Sequence, residues 1–173
     1  LVDPRAEYFL RFPAKEKIEY ALENQKSKIK NQNFGRAIAP HSYHIDDEGI
    51  RLYFTEGWEI QAPLKGKFNA ENMLAAIAVG EAFGISHETM RKAFADFRGV
   101  PGRMEEIQKE PFRVIVDYAF TPNALRQVYQ TLTTSYQLPT TANDQIGNRK
   151  LEIGNSAKRL ICVLGAAGGG RDK

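Results

Sequence analysis

One break in the sequence constrains the fold more than any other feature, and it lies at residues 98–102, Arg-Gly-Val-Pro-Gly. A helical repeat of apolar residues stops just before it, because proline removes a backbone donor and glycine disfavours a helix. After the break, the apolar run 112–116 has the composition of a β-strand and ends in Asp117. Thr121 and Pro122 then open a new helical repeat. The sequence therefore predicts two structural units that meet at this break.

Asp117 is the first candidate for a functional residue. A carboxylate at the C-terminal end of a buried strand, just before a helix, is where open α/β sheets place ligand-binding groups. The alternative is a plain strand–loop–helix in which Asp117 only stabilises the turn. The spacing by itself leaves both readings open.

Upstream of the break, the pattern predicts a small antiparallel sheet followed by two helices. Apolar and polar residues alternate over residues 36–62, between turns that contain acidic residues and glycine. Apolar residues at helical spacing predict a helix over residues 68–83 and another over 87–97, with Ser86 as the N-cap of the second.

Downstream of the break, the order strand, helix, strand predicts a βαβ unit with a parallel sheet, so the fold class is α/β. The helix is expected over residues 122–132. The apolar run Leu160–Leu164 suits a buried parallel strand, and Cys162 inside it is expected to be a buried structural thiol. The polar segment 133–157 is interpreted as a long loop or an insertion.

Composition excludes several classes of function. The net charge of +3 comes without a dense block of Lys or Arg, so nucleic acid is not an expected partner. No apolar stretch approaches the ~18 residues of a membrane span. The single cysteine excludes an internal disulfide and fits a reducing compartment, so we expect a cytoplasmic protein. His41 and His44 have no third ligand nearby in sequence, and no metal site is expected there.

Two asparagines near the start of the first predicted helix form a second candidate site. Asn69 and Asn72 are three residues apart and therefore share a helix face. An asparagine amide both donates and accepts a hydrogen bond, which suits the edge of an adenine ring. The alternative is simple N-capping of the helix by Asn69.

Two further candidates carry positive charge. Arg103 follows Pro-Gly at the break, where its guanidinium could bind a phosphate or carboxylate, or instead pair with Glu105 or Glu106. The glycine-rich end, residues 165–173, contains Arg171 and could hold an anion, or form a plain turn. The Walker motif G-x-x-x-x-G-K-[ST] occurs nowhere in the chain.

Four stretches together resemble the Mur ligase family, whose members form amide bonds with ATP during peptidoglycan precursor synthesis. They are residues 66–76 (G-K-F-N-A-E-N-M-L-A-A), 100–105 (V-P-G-R-M-E), 116–125 (V-D-Y-A-F-T-P-N-A-L) and 168–173 (G-G-G-R-D-K). Their order is that of the family, and the resemblance is closest to the UDP-N-acetylmuramoyl-tripeptide synthetase branch.

The resemblance implies a domain organisation. Residues 1–99 would be the second half of the central, ATP-binding domain, with a small antiparallel sheet and helices. Residues 100–173 would begin the Rossmann-like C-terminal domain, with an insertion at 133–157. Both ends of the chain look cut, so we expect a fragment of a longer protein that is monomeric when complete.

The resemblance also implies roles for individual residues. Asn72, with Asn69, would read the adenine edge of ATP. Arg103 and Asp117 would contact the nucleotide, Asp117 toward the ribose, and Arg171 would hold the carboxylate of the incoming amino acid. The implied ligands are ATP, Mg²⁺, a UDP-N-acetylmuramoyl-peptide and an amino acid. The lysine of the phosphate-binding loop and the metal ligands would lie upstream of Leu1.

One departure from the family pattern keeps alternatives open. The family motif is usually Tyr-Ala-His-Thr-Pro, and here Phe120 replaces the histidine. A non-catalytic nucleotide-binding module that kept the fold is therefore the main alternative to a ligase. A folylpolyglutamate or cyanophycin type of ligase is another.

Overall fold

The computed structural model describes residue 11 and residues 13–22, 36–135 and 160–165. Over these residues the chain forms seven short strands and three helices, which confirms the α/β class. None of the described helices is both long enough and apolar enough to span a membrane.

An antiparallel three-stranded sheet forms the centre of the first unit. Its strands are β3 (Ser42–Ile45), β4 (Ile50–Tyr53) and β5 (Glu59–Ala62), in that order. β4 buries alternate residues, Ile50 and Leu52, as expected for a strand with one face on a core. Asp46 shapes the turn before β4, because its Oδ1 accepts from the backbone N–H of Glu48 at 2.8 Å. The predicted hairpins of this region are confirmed.

A second, smaller sheet corrects one expectation. β1 (Ile18–Tyr20) and β2 (Arg36–Ile38) pair in parallel, so the prediction that all strands between residues 36 and 62 are antiparallel is wrong for β2. A tight hairpin makes neighbouring strands antiparallel. Parallel strands need a connection of about a dozen residues or more, and the segment between β1 and β2, residues 21–35, is long enough.

Helix α1 (Lys67–Ala82) begins one residue earlier than predicted and ends at a glycine signal. Gly84, with φ 70°, donates its backbone N–H to Glu81, and Ile85 donates to Gly80 at 2.9 Å. These two bonds form a Schellman motif, which satisfies the last carbonyls of the helix. Helix α2 (His87–Asp96) follows, and its N-cap Ser86 accepts from the backbone N–H of Thr89 at 3.2 Å, as predicted.

The hydrophobic core lies between the three-stranded sheet and the two helices. Its most fully buried large side chains come from both layers: Ile50, Leu52, Ile60, Met73, Leu74 and Ile77. This packing anchors α1 on the sheet of the first unit.

The second unit is a β-hairpin followed by a helix. β6 (Glu105–Gln108) and β7 (Val114–Val116) pair antiparallel. Helix α3 (Pro122–Ser135) follows Thr121, whose Oγ1 accepts from the backbone N–H of Ala124 at 3.2 Å. The helix extends past the predicted end at residue 132, so the polar segment expected as an insertion begins within α3, and its remainder lies outside the described residues.

The predicted βαβ unit is not formed by the described residues. Residues 160–164 have no strand partner there, and Ile161 and Val163 are 84% and 93% exposed. Cys162 is also exposed, so the expectation of a buried thiol was wrong. An apolar run becomes a buried strand only where neighbouring strands complete its hydrogen bonds and helices cover its faces. The described part of the chain supplies neither.

Candidate functional site

A cavity of about 530 Å³ lies where the two units meet. Its walls come from the first turn of α1, the break at residues 98–102, the end of β7 and the first turns of α3. The volume lies in the range of about 300–1,000 Å³ that is typical of small-molecule sites. Four of the predicted site residues, from three separate stretches of the sequence, line this one cavity: Asn69, Asn72, Arg103 and Asp117.

The two asparagines are joined by a hydrogen bond on the α1 side of the cavity. Asn69 donates its Nδ2 to the backbone carbonyl of Lys65 at 2.8 Å. Its Oδ1 accepts from Nδ2 of Asn72 at 3.3 Å. The N-cap of α1 is Gly66 rather than Asn69, so the capping alternative is wrong. Asn72 is exposed to the cavity, whereas Asn69 is half-buried.

The carboxylate of Asp117, which lines the cavity, accepts hydrogen bonds from two backbone N–H groups. Its Oδ2 accepts from the backbone N–H of Met104 at 2.8 Å, and its Oδ1 accepts from that of Ala119 at 2.7 Å. Met104 has φ 50°, a left-handed conformation that is unusual for a residue with a side chain. The carboxylate therefore holds the turn of residues 100–104 against the end of β7. Each oxygen keeps a second lone pair for a ligand.

Arg103 lies over an aromatic ring in the same cavity. Its guanidinium carbon is 5.0 Å from the centroid of the Tyr118 ring, within the range of a cation–π contact. Glu105 accepts from the backbone N–H of Gly102 at 2.7 Å, and Glu106 lies 3.2 Å from Arg113. Both carboxylates proposed as alternative partners of Arg103 are thus engaged elsewhere, while Arg103 lines the cavity.

The sequence reasoning missed an aromatic pair at the mouth of the cavity. Tyr118 and Phe120 line it, are 66% and 68% exposed, and pack edge to face with their ring centroids 5.6 Å apart. The signal that could have revealed the pair is their spacing, because residues i and i+2 of an extended segment point to the same side. Large exposed rings beside hydrogen-bonding groups suit a flat, aromatic ligand.

The described residues bring few charged groups to the cavity. Among the described lining residues, Asp117 is the single carboxylate and Arg103 the single cation. No group of three or more His, Cys, Asp or Glu side chains within the described ranges is placed to hold a metal ion. One carboxylate already bonded by two backbone N–H groups does not suit Mg²⁺, which prefers several oxygen ligands. The described residues thus fit a nucleoside but not the metal. Arg171 lies outside the described residues.

A second cleft, of about 740 Å³, adjoins the first. The two share Phe68, Asn123 and Gln127, but the second is lined by charged groups of both signs, among them Asp47 and Arg126. No predicted site residue lines it.

Comparison with known proteins identifies relatives of this chain. No model of a known protein family matches the chain. The chain is 32% identical over 158 residues to the UDP-N-acetylmuramoyl-L-alanyl-D-glutamate–2,6-diaminopimelate ligase of Lawsonia intracellularis, and this match covers 90% of the chain. It is 39% identical over 117 residues to the ligase of the same name from Thermosynechococcus vestitus, which covers 66% of the chain.

The chain belongs to the Mur ligase family. It spans 28% and 19% of the length of these two relatives. Among solved structures, a MurF structure from Acinetobacter baumannii superposes with a TM-score of 0.53 at 23% identity, over 66% of this chain and 28% of that one. The UDP-N-acetylmuramate–alanine ligase of Thermotoga maritima superposes with a TM-score of 0.52 over 58% of this chain and 26% of that one. At these identities the superpositions show that this Mur ligase segment has the family fold.

Proposed function

We propose that this chain is part of an ATP-dependent ligase of peptidoglycan precursor synthesis, and that its cavity binds the adenosine half of ATP. The supporting observation is that Asn69 and Asn72 line one cavity with Arg103 and Asp117, although three separate stretches of the sequence supply them. The named activity of the curated relatives, diaminopimelate ligases, supports the reaction class. The amide bond would join an amino acid to a UDP-N-acetylmuramoyl-peptide.

Each cavity residue receives a role that its contacts allow. Asn72 presents an amide to the adenine edge, and the rings of Tyr118 and Phe120 supply apolar surface for the base. Asp117 accepts from a ribose hydroxyl through its remaining lone pairs, and Arg103 directs its guanidinium toward phosphate. Arg171 is assigned to the carboxylate of the incoming amino acid, on the resemblance alone.

The two units would act as the two walls of the nucleotide site. We place the boundary between the central and C-terminal domains at residues 99–100, within the break. Gly99, with φ 103°, lines the cavity and lies next to the residues that would move when the domains close. The cavity would then be completed by closure, which excludes water from the phosphates.

The reaction class of the family proceeds through an acyl phosphate. ATP phosphorylates the peptide carboxylate, the amine of the amino acid attacks, and phosphate leaves. The described residues of this chain contribute binding and orientation of the nucleotide. The sequence has no Walker motif, and the described residues form no Mg²⁺ site. We therefore expect this 173-residue chain alone to bind nucleotide without forming amide bonds.

A second candidate function is a nucleotide-binding module without catalysis. Phe120 favours it, because a phenyl ring that is 68% exposed in the cavity cannot transfer a proton or donate to phosphate, as a histidine at that position can. Both candidates require ATP binding, and amide-ligase turnover by the complete protein that contains this chain separates them.

Calorimetric titration of the wild-type chain with ATP tests the proposal. Removing a polar group that bonds the base costs roughly 1–3 kcal/mol, so Asn72→Ala should weaken ATP binding roughly 5- to 150-fold. Glu71→Ala is the matched control, because Glu71 is the neighbouring exposed residue of α1 and does not line the cavity. Equal ATP affinity of the wild type and Asn72→Ala would contradict the assignment.

A further inference from the structure

We propose that Asn69 is a specificity-determining residue: it fixes the amide of Asn72 in the one orientation that selects adenine over a base with a carbonyl at position 6. This inference rests on the proposed function, since it concerns the base bound in the same cavity. It assigns to Asn69 a positioning role, and leaves contact with the base to Asn72.

The orientation of Asn69 follows from the carbonyl that it meets. The backbone N–H of Asn69 donates to Gly66 at 3.0 Å, so the carbonyl of Lys65 lies outside the hydrogen bonds of α1. A carbonyl can only accept, and the side chain of Asn69 lies 2.8 Å from it. Asn69 must therefore present its Nδ2 to Lys65 and its Oδ1 to the other side, because the reverse would place two acceptors against each other.

The orientation of Asn72 then follows from that of Asn69. Oδ1 of Asn69 accepts, so the atom of Asn72 that lies 3.3 Å from it must be Nδ2. Turning the Asn72 amide by half a rotation would bring two carbonyl oxygens together and leave both without a donor. The chain of bonds from the Lys65 carbonyl through Asn69 to Asn72 thus sets which end of the exposed amide is donor and which is acceptor.

What remains free on Asn72 defines the base it can bind. Its Oδ1 has two lone pairs, and its Nδ2 has one N–H left for the cavity. Adenine offers an amino donor at position 6 beside a ring-nitrogen acceptor, which pairs with this amide. Hypoxanthine has a carbonyl at position 6, which would face Oδ1 of Asn72 acceptor to acceptor. The neighbouring N1 of hypoxanthine carries a proton, so an amide that is free to turn could pair with the N1 edge of either base, and a fixed one cannot.

ATP and ITP are the matched ligands for a test, because they differ only at position 6 of the base and in the proton on the neighbouring N1. A bidentate pair discriminates against the wrong base by roughly 10- to 100-fold, so calorimetry should give the wild-type chain that preference for ATP. In Asn69→Ala the amide of Asn72 can turn, and we expect the ATP-to-ITP ratio to fall to within about threefold, from the loss of that pairing constraint. Glu71→Ala, on the same helix, should keep the wild-type ratio.

A conservative variant separates positioning from general damage. Asn69→Asp keeps an acceptor for Nδ2 of Asn72, although it loses the donor to the Lys65 carbonyl. Its carboxylate lies in the first turn of α1, where the helix dipole favours it, and both of its oxygens accept, so the amide of Asn72 keeps its orientation whichever way the carboxylate turns. It should therefore retain the ATP preference that Asn69→Ala loses. Circular dichroism checks the fold of each variant, and Asn69→Leu, which keeps the branched shape of the side chain, replaces Asn69→Ala if the latter does not fold.

The outcomes separate this inference from the function it rests on. A wild-type chain that does not bind ATP overturns the proposed function and the inference with it. A wild type that prefers ATP, together with an Asn69→Ala or Asn69→Leu variant that keeps the same preference, overturns the role of Asn69 and leaves the nucleotide site intact.

Discussion

At Gly66 the chain enters α1 with φ 89° and ψ 145°, a conformation that essentially only glycine adopts. Space is also restricted there. A Cβ on Gly66 would lie 2.7 Å from Cε1 of Phe68 and 2.8 Å from Oγ1 of Thr131, which belongs to α3. This glycine lets the first turn of α1 and the helix of the second unit approach closely, beside the proposed nucleotide cavity.

Gly66→Ala should therefore destabilise the chain by about 3 kcal/mol or more, since backbone strain and steric contact add. Gly57→Ala is the control, because Gly57 also has positive φ, at 76°, but a Cβ there meets no atom within 4 Å. It should cost only about 1 kcal/mol of backbone strain. Urea unfolding measures both, and equal losses would show that the contact with Thr131 is not formed.

Asp117 makes a second prediction at the residue scale. Replacing it by Ala removes the acceptor for the backbone N–H groups of Met104 and Ala119, and hydrogen bonds to a charged group contribute about 1.5–3 kcal/mol each before solvent screening. Since the carboxylate is half-buried, we expect a loss of about 2 kcal/mol in the free energy of unfolding. Asp117→Asn keeps one acceptor and should lose less. An Asp117→Ala variant as stable as the wild type would mean that the carboxylate does not hold the turn of residues 100–104.

At the scale of elements, local sequence signals predict most of the structure. The Gly84 stop of α1, the Ser86 cap of α2 and the Thr121–Pro122 start of α3 depend on backbone chemistry within a few residues, so they can be read directly. Strand pairing depends on distant residues. This is why the parallel pairing of β1 with β2 and the exposed state of residues 160–164 were not predicted.

The contact between α3 and residues 160–165 can be tested by titrating Tyr129. The Tyr129 hydroxyl donates to Sγ of Cys162 at 2.8 Å, and this hydrogen bond, followed by burial, raises the pKa of Tyr129 to about 12. Cys162→Ala should return the pKa of Tyr129 toward 10. Ultraviolet titration of the two proteins, with Tyr129→Phe to identify the signal, measures the change.

The sign of the linked stability follows from that shift. A raised pKa means that the folded state disfavours the phenolate, so the stabilisation is fully present below pH 10 and is lost as the pH rises from 10 toward 12. In Cys162→Ala this loss should be smaller. An unchanged Tyr129 titration in Cys162→Ala would contradict the contact.

For the molecule as a whole, the site belongs to neither unit alone. Asn69 and Asn72 come from the first unit, and Arg103 and Asp117 come from the second. Residue types and the family resemblance predicted these positions. Neither could predict that the amide of Asn69 donates to the Lys65 carbonyl, or that Asp117 accepts from two backbone N–H groups. Such contacts depend on the folded geometry. The structure thereby divides the predicted residues into those that present free hydrogen-bonding atoms and those that position them.

The central claim is that an adenine nucleotide binds between the two units, and an NMR titration of the ¹⁵N-labelled chain with ADP tests it most directly. We predict that the side-chain amide of Asn72 and the backbone amides of Arg103, Asp117 and Ala119 shift together along one saturation curve. Signals of Asp47 and Arg126, in the second cleft, should remain unchanged. Shifts confined to the second cleft, or no saturable shift of the Asn72 amide, would contradict the account.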